Sequence, residues 1–243
     1  MSESTLGTRL PHGNFLETAV FAGGQAEVLG IKLPGAAKAG SPPARKAMSF
    51  LNGRLKRAMD ILLALLSAPL ALILVGLAAV AIKVGSRGPV FFVQERLGRD
   101  RVPFLCYKLR TMVEGAEGHT PQWATASDPR VTRVGKLLRR SRLDELPQLY
   151  NVWRGEMSFV GVRPIREHFA RILAEKEPSY HLRFLARPGL TGWDQIHNGY
   201  PCTLEGQLRK FRFDLYYLEN ASLWLDLFIL GKTIRVILGR KGQ

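Results

Sequence analysis

The densest concentration of reactive side chains in this 243-residue sequence lies at Lys136–Pro164, KLLRRSRLDELPQLYNVWRGEMSFVGVRP. Lys136, Arg139, Arg140 and Arg142 lead into the adjacent acids Asp144 and Glu145, and Arg154 and Arg163 follow. Such a mixture supports two readings. One is a solvated, salt-bridged helix face, which contributes little energetically. The other is a phosphoryl site, where guanidiniums hold phosphate, a metal bridges carboxylate and phosphate, and one carboxylate reacts. Neighbouring acids on a helix point about 100° apart, so these two would not share a proton. They would divide the work, one as nucleophile or metal ligand and the other as base or orienter. The surrounding cations would keep the nucleophile ionised and offset the charge of a diphosphate.

A second candidate is RPGLTGW at 187–193, a rigid loop with donors and an aromatic face. It could hold phosphate, stack a base, or be a plain turn. Elsewhere the sequence is poor in chemistry. Its histidines (12, 119, 168, 181 and 197) lack metal-ligand spacing and read as surface or loop groups. Ser141 and Ser158 have no histidine pattern for a hydrolase triad. Trp153, Trp193 and Trp224 read as packing or interface residues. No nucleotide-binding glycine loop or dinucleotide fingerprint occurs. The two distant cysteines, Cys106 and Cys202, exclude a disulfide framework and a cysteine-rich zinc site.

These side chains must be positioned by elements with an uneven charge distribution. The net charge is +15, with +4 in residues 1–60, none in 61–82 and +11 in 83–243. An excess of this size favours anionic partners: nucleic acid, headgroups or phosphorylated substrates. Ile61–Ile82 is 22 residues without a charge, enough to cross a bilayer core of roughly 30 Å as a helix. Ser67 and Pro69 interrupt it. Proline removes one backbone donor and clashes with the preceding turn, and a serine hydroxyl can bond a freed carbonyl. The arm from Asp60 to Ala68 would be only about 13 Å long, too short to span alone. Arg54, Lys56 and Arg57 precede the segment, and Lys83 and Arg87 follow it. Basic flanks stay cytoplasmic, which favours a hairpin that enters and leaves on one side over a kinked span. A buried core helix is the bland alternative.

Residues 1–48 read as a disordered leader with an ordered patch near Phe15–Phe21, and 49–83 as a membrane helix-break-helix. Residues 84–243 read as a cytoplasmic catalytic domain. Within it, Val90–Val93 and Pro103–Leu109 form a hairpin, 113–127 a loop or weak helix, and Val134–Val152 a half-buried helix. Pro147 fits the first turn of a second helix. Ile165–Lys176 is helical, and 188–199 is a glycine-rich loop. Leu204–Leu218 mixes bases with Phe211, Phe213, Tyr216 and Tyr217, and a helix is expected over Ser222–Leu238. The last is either interfacial, with an aromatic and basic edge, or a packed core helix.

The chain resembles the bacterial sugar transferase family, the monotopic polyprenyl-phosphate phosphoglycosyl transferases. The resemblance rests on KRAMD at 56–60, GPVFFVQERLG at 88–98, YKLRTM at 107–112 and DPRVTRVGKLLRRSRLDELPQLYNVWRGEMSFVGVRP at 128–164, followed by RPGLTGW at 187–193 and DLYYLENASLWLDL at 214–227. It implies a mainly α fold with a small β-hairpin, a re-entrant helix broken at Ser67 and Pro69, and interfacial amphipathic helices. It implies transfer of a sugar-1-phosphate from a UDP-sugar to polyprenyl (undecaprenyl) phosphate, releasing UMP, as the first membrane step of exopolysaccharide or other surface-glycan synthesis. By resemblance Asp144 is the nucleophile that carries the phosphosugar and binds Mg²⁺, and Glu145 assists as a base. Lys108, Arg110 and Arg139 become phosphate ligands, Arg163 and Arg187 nucleotide ligands, and Glu95 a supporting group. Val162 stands where the family has proline, which implies a looser loop around Arg163. The expected location is the cytoplasmic face of a bacterial inner membrane, with membrane lipids as partners and no nucleic acid. A homo-oligomer is left open. A membrane-tethered basic protein that binds lipid or nucleic acid without catalysis is the competing reading. It would not explain why acids and bases concentrate at 136–164.

Overall fold

Apolar residues crowd one stretch, and that stretch forms the longest element of a computed structural model. The structure describes residues 27–28, 31–32, 45–116, 128–197 and 203–238, within two units divided after Ala39. In the first unit β1 (Glu27–Val28) pairs antiparallel with β2 (Ile31–Lys32). The patch expected near Phe15–Phe21, and most of the leader, lie outside the described residues.

The second unit opens with α1 (Arg45–Leu51), followed by the 32-residue α2 (Arg54–Gly85), about 48 Å long at 1.5 Å per residue. Lys56, Asp60, Ala64, Ala71, Ala78 and Ile82 form its buried stripe, at spacings that stay on one helix face. Small alanines let neighbours approach. Ala64 packs with Phe104, Cys106, Val152 and Met157, and Ala78 and Ile82 pack with Leu109 and Leu138. The opposite face leaves Leu62, Leu66, Leu70, Ile73, Leu77 and Val80 exposed. Only 17% of the most apolar window is buried, so this is no ordinary core helix, and by length and composition it could cross a membrane.

The expected break at Ser67 and Pro69 is not an interruption of helical structure: α2 continues through both. Ser67 Oγ donates to Leu63 O at 2.7 Å, with Ala64 O at 3.2 Å, rather than to the Leu65 carbonyl that Pro69 leaves without its donor.

Strands β3 (Phe91–Leu97) and β4 (Pro103–Leu109) form the expected antiparallel hairpin, in a register that sets Phe92 opposite Lys108 and Arg96 opposite Phe104. The half-buried helix expected over Val134–Val152, with a second helix starting at Pro147, is found as three pieces. These are α3 (Arg133–Ser141), a 3-10 segment (Leu143–Gln148) containing Pro147, and α4 (Leu149–Arg154). The divide falls at Arg142, whose φ of 59° is left-handed.

β5 (Ser158–Val160) then pairs in parallel with β6 (Gly189–Thr191). Of the expected glycine-rich loop at 188–199, the described part up to His197 holds a strand followed by α6 (Trp193–His197). Gly189 makes this possible: a Cβ there would meet Gly161 N at 2.1 Å. Between the strands run α5 (Glu167–Lys176) and a 3-10 segment (Pro178–Leu185). Together with α7 (Leu204–Asn220) they enclose a core of Leu97, Phe169, Leu173, Tyr180, Phe184 and Phe211. α8 (Leu223–Leu238) buries Asp226 and Ile229 and exposes Trp224, Leu227 and Phe228. It is packed on one side and open on the other.

Candidate active site

α3 delivers the acids. Thr132 caps its start, with Oγ1 accepting from Gly135 N at 2.9 Å. Gly135 has no room for a side chain: a Cβ would lie 2.0 Å from Thr111 O. That close approach seats α3 against the end of β4 and brings Arg139 Nε to Thr111 Oγ1 at 2.9 Å. At the other end the left-handed Arg142 turns the chain into the 3-10 segment, where Glu145 N bonds Arg142 O at 3.2 Å. Asn151, fully buried on α4, locks the hairpin behind it. Its side chain donates to Leu105 O and Glu156 Oε2, both at 2.7 Å, and accepts from Tyr107 N at 3.2 Å. Lys108 is thereby carried to the acids.

The two acids receive opposite treatment. Glu145 is saturated: Lys108 Nζ donates to Oε1 at 3.0 Å, and Arg163 donates to Oε1 at 2.5 Å and Oε2 at 3.4 Å. Burial alone would raise its pKa, but Arg163, Lys108 and Arg142 outweigh burial and hold it well below the usual carboxylate range. Asp144 is equally buried, yet its Oδ1 has no hydrogen-bond partner. Burial first, then the charge of Glu145, push its carboxyl up to about 6, against the pull of Lys108, Arg163 and Arg139. The arrangement leaves one acid locked in ion pairs and the other with a free oxygen in a cationic setting, as a carboxylate nucleophile requires.

Not every expected residue joins this group. Lys108, Arg139 and Arg163 do. Arg110 is committed elsewhere: its guanidinium donates to Arg87 O, to Ser86 O at 3.0 Å and to Ser86 Oγ at 2.9 Å, which clamps the end of α2. Arg187 has Arg99, Arg57 and Asp60 as electrostatic neighbours, and burial together with the two arginines lowers its pKa. Glu95 is exposed on β3, opposite Leu105. Val162, beside Arg163, is buried and bridges Pro188.

Sequence reasoning missed the positional role of Arg142, since only the fold reveals a left-handed arginine. It also missed a buried charge network among α2, β5, α7 and α8. There Lys56 Nζ donates to Asp226 Oδ2 at 2.5 Å, Tyr217 OH donates to Asp226 Oδ1 at 2.8 Å, and Ser158 Oγ donates to Asp60 Oδ1 at 2.9 Å. The charges of Asp226 and Lys56 were the available signal. No group of three or more His, Cys, Asp or Glu with metal-binding geometry exists among the described residues.

The family profile of the bacterial sugar transferases matches residues 51–240. The chain belongs to the bacterial sugar transferase family. Among its relatives is the UDP-N-acetylgalactosamine-undecaprenyl-phosphate N-acetylgalactosaminephosphotransferase of Aeromonas hydrophila, 45% identical over 184 residues, which are 76% of this chain and 44% of that protein. The UDP-glucose:undecaprenyl-phosphate glucose-1-phosphate transferase of Escherichia coli K12 is 41% identical over 189 residues, 77% of this chain and 41% of that protein. The exopolysaccharide production protein ExoY of Sinorhizobium fredii is 36% identical over 221 residues, 83% of this chain and 93% of that protein. The chain spans less than half the length of the first two relatives. The family match covers every element from the start of α2 through α8, the acid pair included.

Proposed function

We propose that the chain transfers a sugar-1-phosphate from a UDP-sugar to polyprenyl (undecaprenyl) phosphate and releases UMP, as the first membrane step of a surface glycan such as an exopolysaccharide. The carrying observation is the buried, unpartnered Oδ1 of Asp144 beside a Glu145 that is already fully bonded. The names of the relatives supply the substrate class.

Asp144 attacks the phosphorus that bears the sugar. The bond from that phosphorus to the bridging oxygen breaks, and UMP leaves with the electron pair. An oxygen of polyprenyl phosphate then attacks the same phosphorus, the acyl-phosphate bond breaks, and the Asp144 carboxylate is restored. Lys108, Arg139 and Arg163 neutralise charge on the transferring group. Glu145 is a poor base, because its cationic partners keep it ionised well below neutral pH. Its role is to fix Lys108 and Arg163. Magnesium binds through one or two carboxylates plus substrate phosphates, and the free Oδ1 of Asp144 fits that donor set. Bound there, Mg²⁺ would neutralise the diphosphate.

α2 supports a one-sided membrane arrangement. Ala64 near its start and Ile82 near its end both pack on the same body. A helix crossing the bilayer would carry one of these contacts to the far side. With its exposed apolar face in the headgroup and acyl boundary, and Trp224 and Phe228 of α8 beside lipid, the helix stays on one side of the bilayer. That face is the cytoplasmic side of a bacterial inner membrane, given the basic flanks.

UMP release from UDP-sugar, undecaprenyl phosphate and Mg²⁺ tests the reaction, and a panel of UDP-sugars identifies the donor. Labelled donor should remain covalently attached at Asp144 by mass spectrometry when acceptor is withheld. A label found elsewhere removes the aspartyl route, and absence of UMP returns the chain to a basic membrane tether.

A further inference from the structure

We infer that Arg183 and Arg96 are positioning residues: together they hold the Arg163–Pro164 backbone, and through it they aim the Arg163 guanidinium at Glu145. Four consecutive carbonyls carry the argument. Val162 O accepts from Gly189 N at 2.9 Å, and Arg163 O accepts from Arg183 Nη2 at 2.8 Å. Pro164 O accepts from Arg96 Nη1 at 2.9 Å, and Ile165 O accepts from Leu97 N at 2.9 Å. The outer two donors are backbone amides. The inner two are guanidiniums from separate elements, β3 and the 3-10 segment Pro178–Leu185.

Taking a guanidinium out of water is costly, and a single carbonyl does not offset that cost. Each arginine is therefore fixed by further partners, as a strut must be. Arg183 is buried, donates to the Tyr180 hydroxyl, lies over the Tyr180 ring and has Asp214 Oδ2 3.3 Å from Nη2. Arg96 Nη2 donates to Gln94 Oε1 at 2.5 Å. None of these hydrogen bonds reaches Asp144 or Glu145. Pro164 fixes its own φ and narrows the backbone of Arg163, and the two guanidiniums hold both carbonyls of that dipeptide. Misplacement of a positioning group by about 1 Å can cost 10²-fold in rate.

The kinetic part of the test rests on the proposed transfer reaction, and the exchange part does not. In the full chain in detergent, Arg183→Met should speed hydrogen exchange at the Leu97 and Gly189 amides, which donate into this loop, while exchange in α5 stays unchanged. The same variant should lower kcat about tenfold with little change in KM, and Arg183→Lys should recover most of that loss. In an Arg163→Ala background, Arg183→Met should change kcat less than about twofold, because the two act in series. If Arg183→Met does not fold, Arg96→Met carries the same cycle. An equal kcat penalty in both backgrounds, or unchanged exchange in the loop, overturns the inference. Faster loop exchange in Arg183→Met, with no UMP released by the wild-type chain, keeps the strut and removes the proposed reaction.

Discussion

Asp144 and Glu145 are chain neighbours with opposed chemistry, and the difference comes from partners rather than residue type. Lys108 and Arg163 bond Glu145, while Asp144 keeps a free oxygen. Asp144→Asn should therefore abolish UMP release, by more than about 10³-fold, with sedimentation on liposomes unchanged. The pH dependence has a defined sign. The Asp144 carboxyl sits at about 6, and in the proposed reaction only its ionised form attacks, so kcat/KM, which reports the free enzyme, should fall about tenfold per pH unit below that value. Glu145 raises the Asp144 pKa through its charge. Glu145→Gln removes that charge and frees two cations, so the acid limb of the residual pH–rate profile should move below 6. An acid limb that stays in place or moves upward contradicts this division of roles.

The elements carry the site through a few close approaches. α3 and the end of β4 touch where Gly135 meets Thr111 O, so Gly135→Ala must push the strand end and Arg139 apart. Its cost should exceed about 2 kcal/mol, as for other strained core changes, and kcat should fall with it. Asn151 joins α4 to β4 with two hydrogen bonds and holds Glu156 with a third, all from a fully buried side chain. Asn151→Ala leaves Tyr107 N and Leu105 O without that partner and opens a cavity, for an expected loss of about 2–4 kcal/mol, read as a lowered thermal midpoint.

At the scale of the whole molecule, α2 and α8 are joined by Lys56 and Asp226, both buried. Removing one partner strands the other charge, so Lys56→Met should cost about 3–5 kcal/mol, measured by thermal unfolding in detergent. The one-sided arrangement of α2 has its own check. In a cysteine-free background, Asn52→Cys and Arg87→Cys sit at exposed positions at opposite ends of the helix. Both should label from the cytoplasmic side only; labelling of the two from opposite sides establishes a span instead.

The hairpin, the long apolar helix and the cation-rich acid pair were legible in the sequence, because each depends on local pattern: alternation, an uncharged run, and charges clustered along the chain. Three features were not. Residues 134–152 have helical periodicity and Pro147 marks a second helix, but the left-handed Arg142 that ends the first one leaves no local signal. Strand β6 hides in a glycine-rich turn signature, since its partner β5 lies some thirty residues earlier and parallel pairing leaves no local mark. Arg110 and Arg163 look alike in sequence, as basic residues beside candidate motifs. One clamps the end of α2 and the other reaches Glu145. Residue chemistry therefore defined which groups could handle phosphate, and tertiary contacts decided which acid keeps an unpartnered oxygen, because hydrogen-bond partners arrive from distant chain segments.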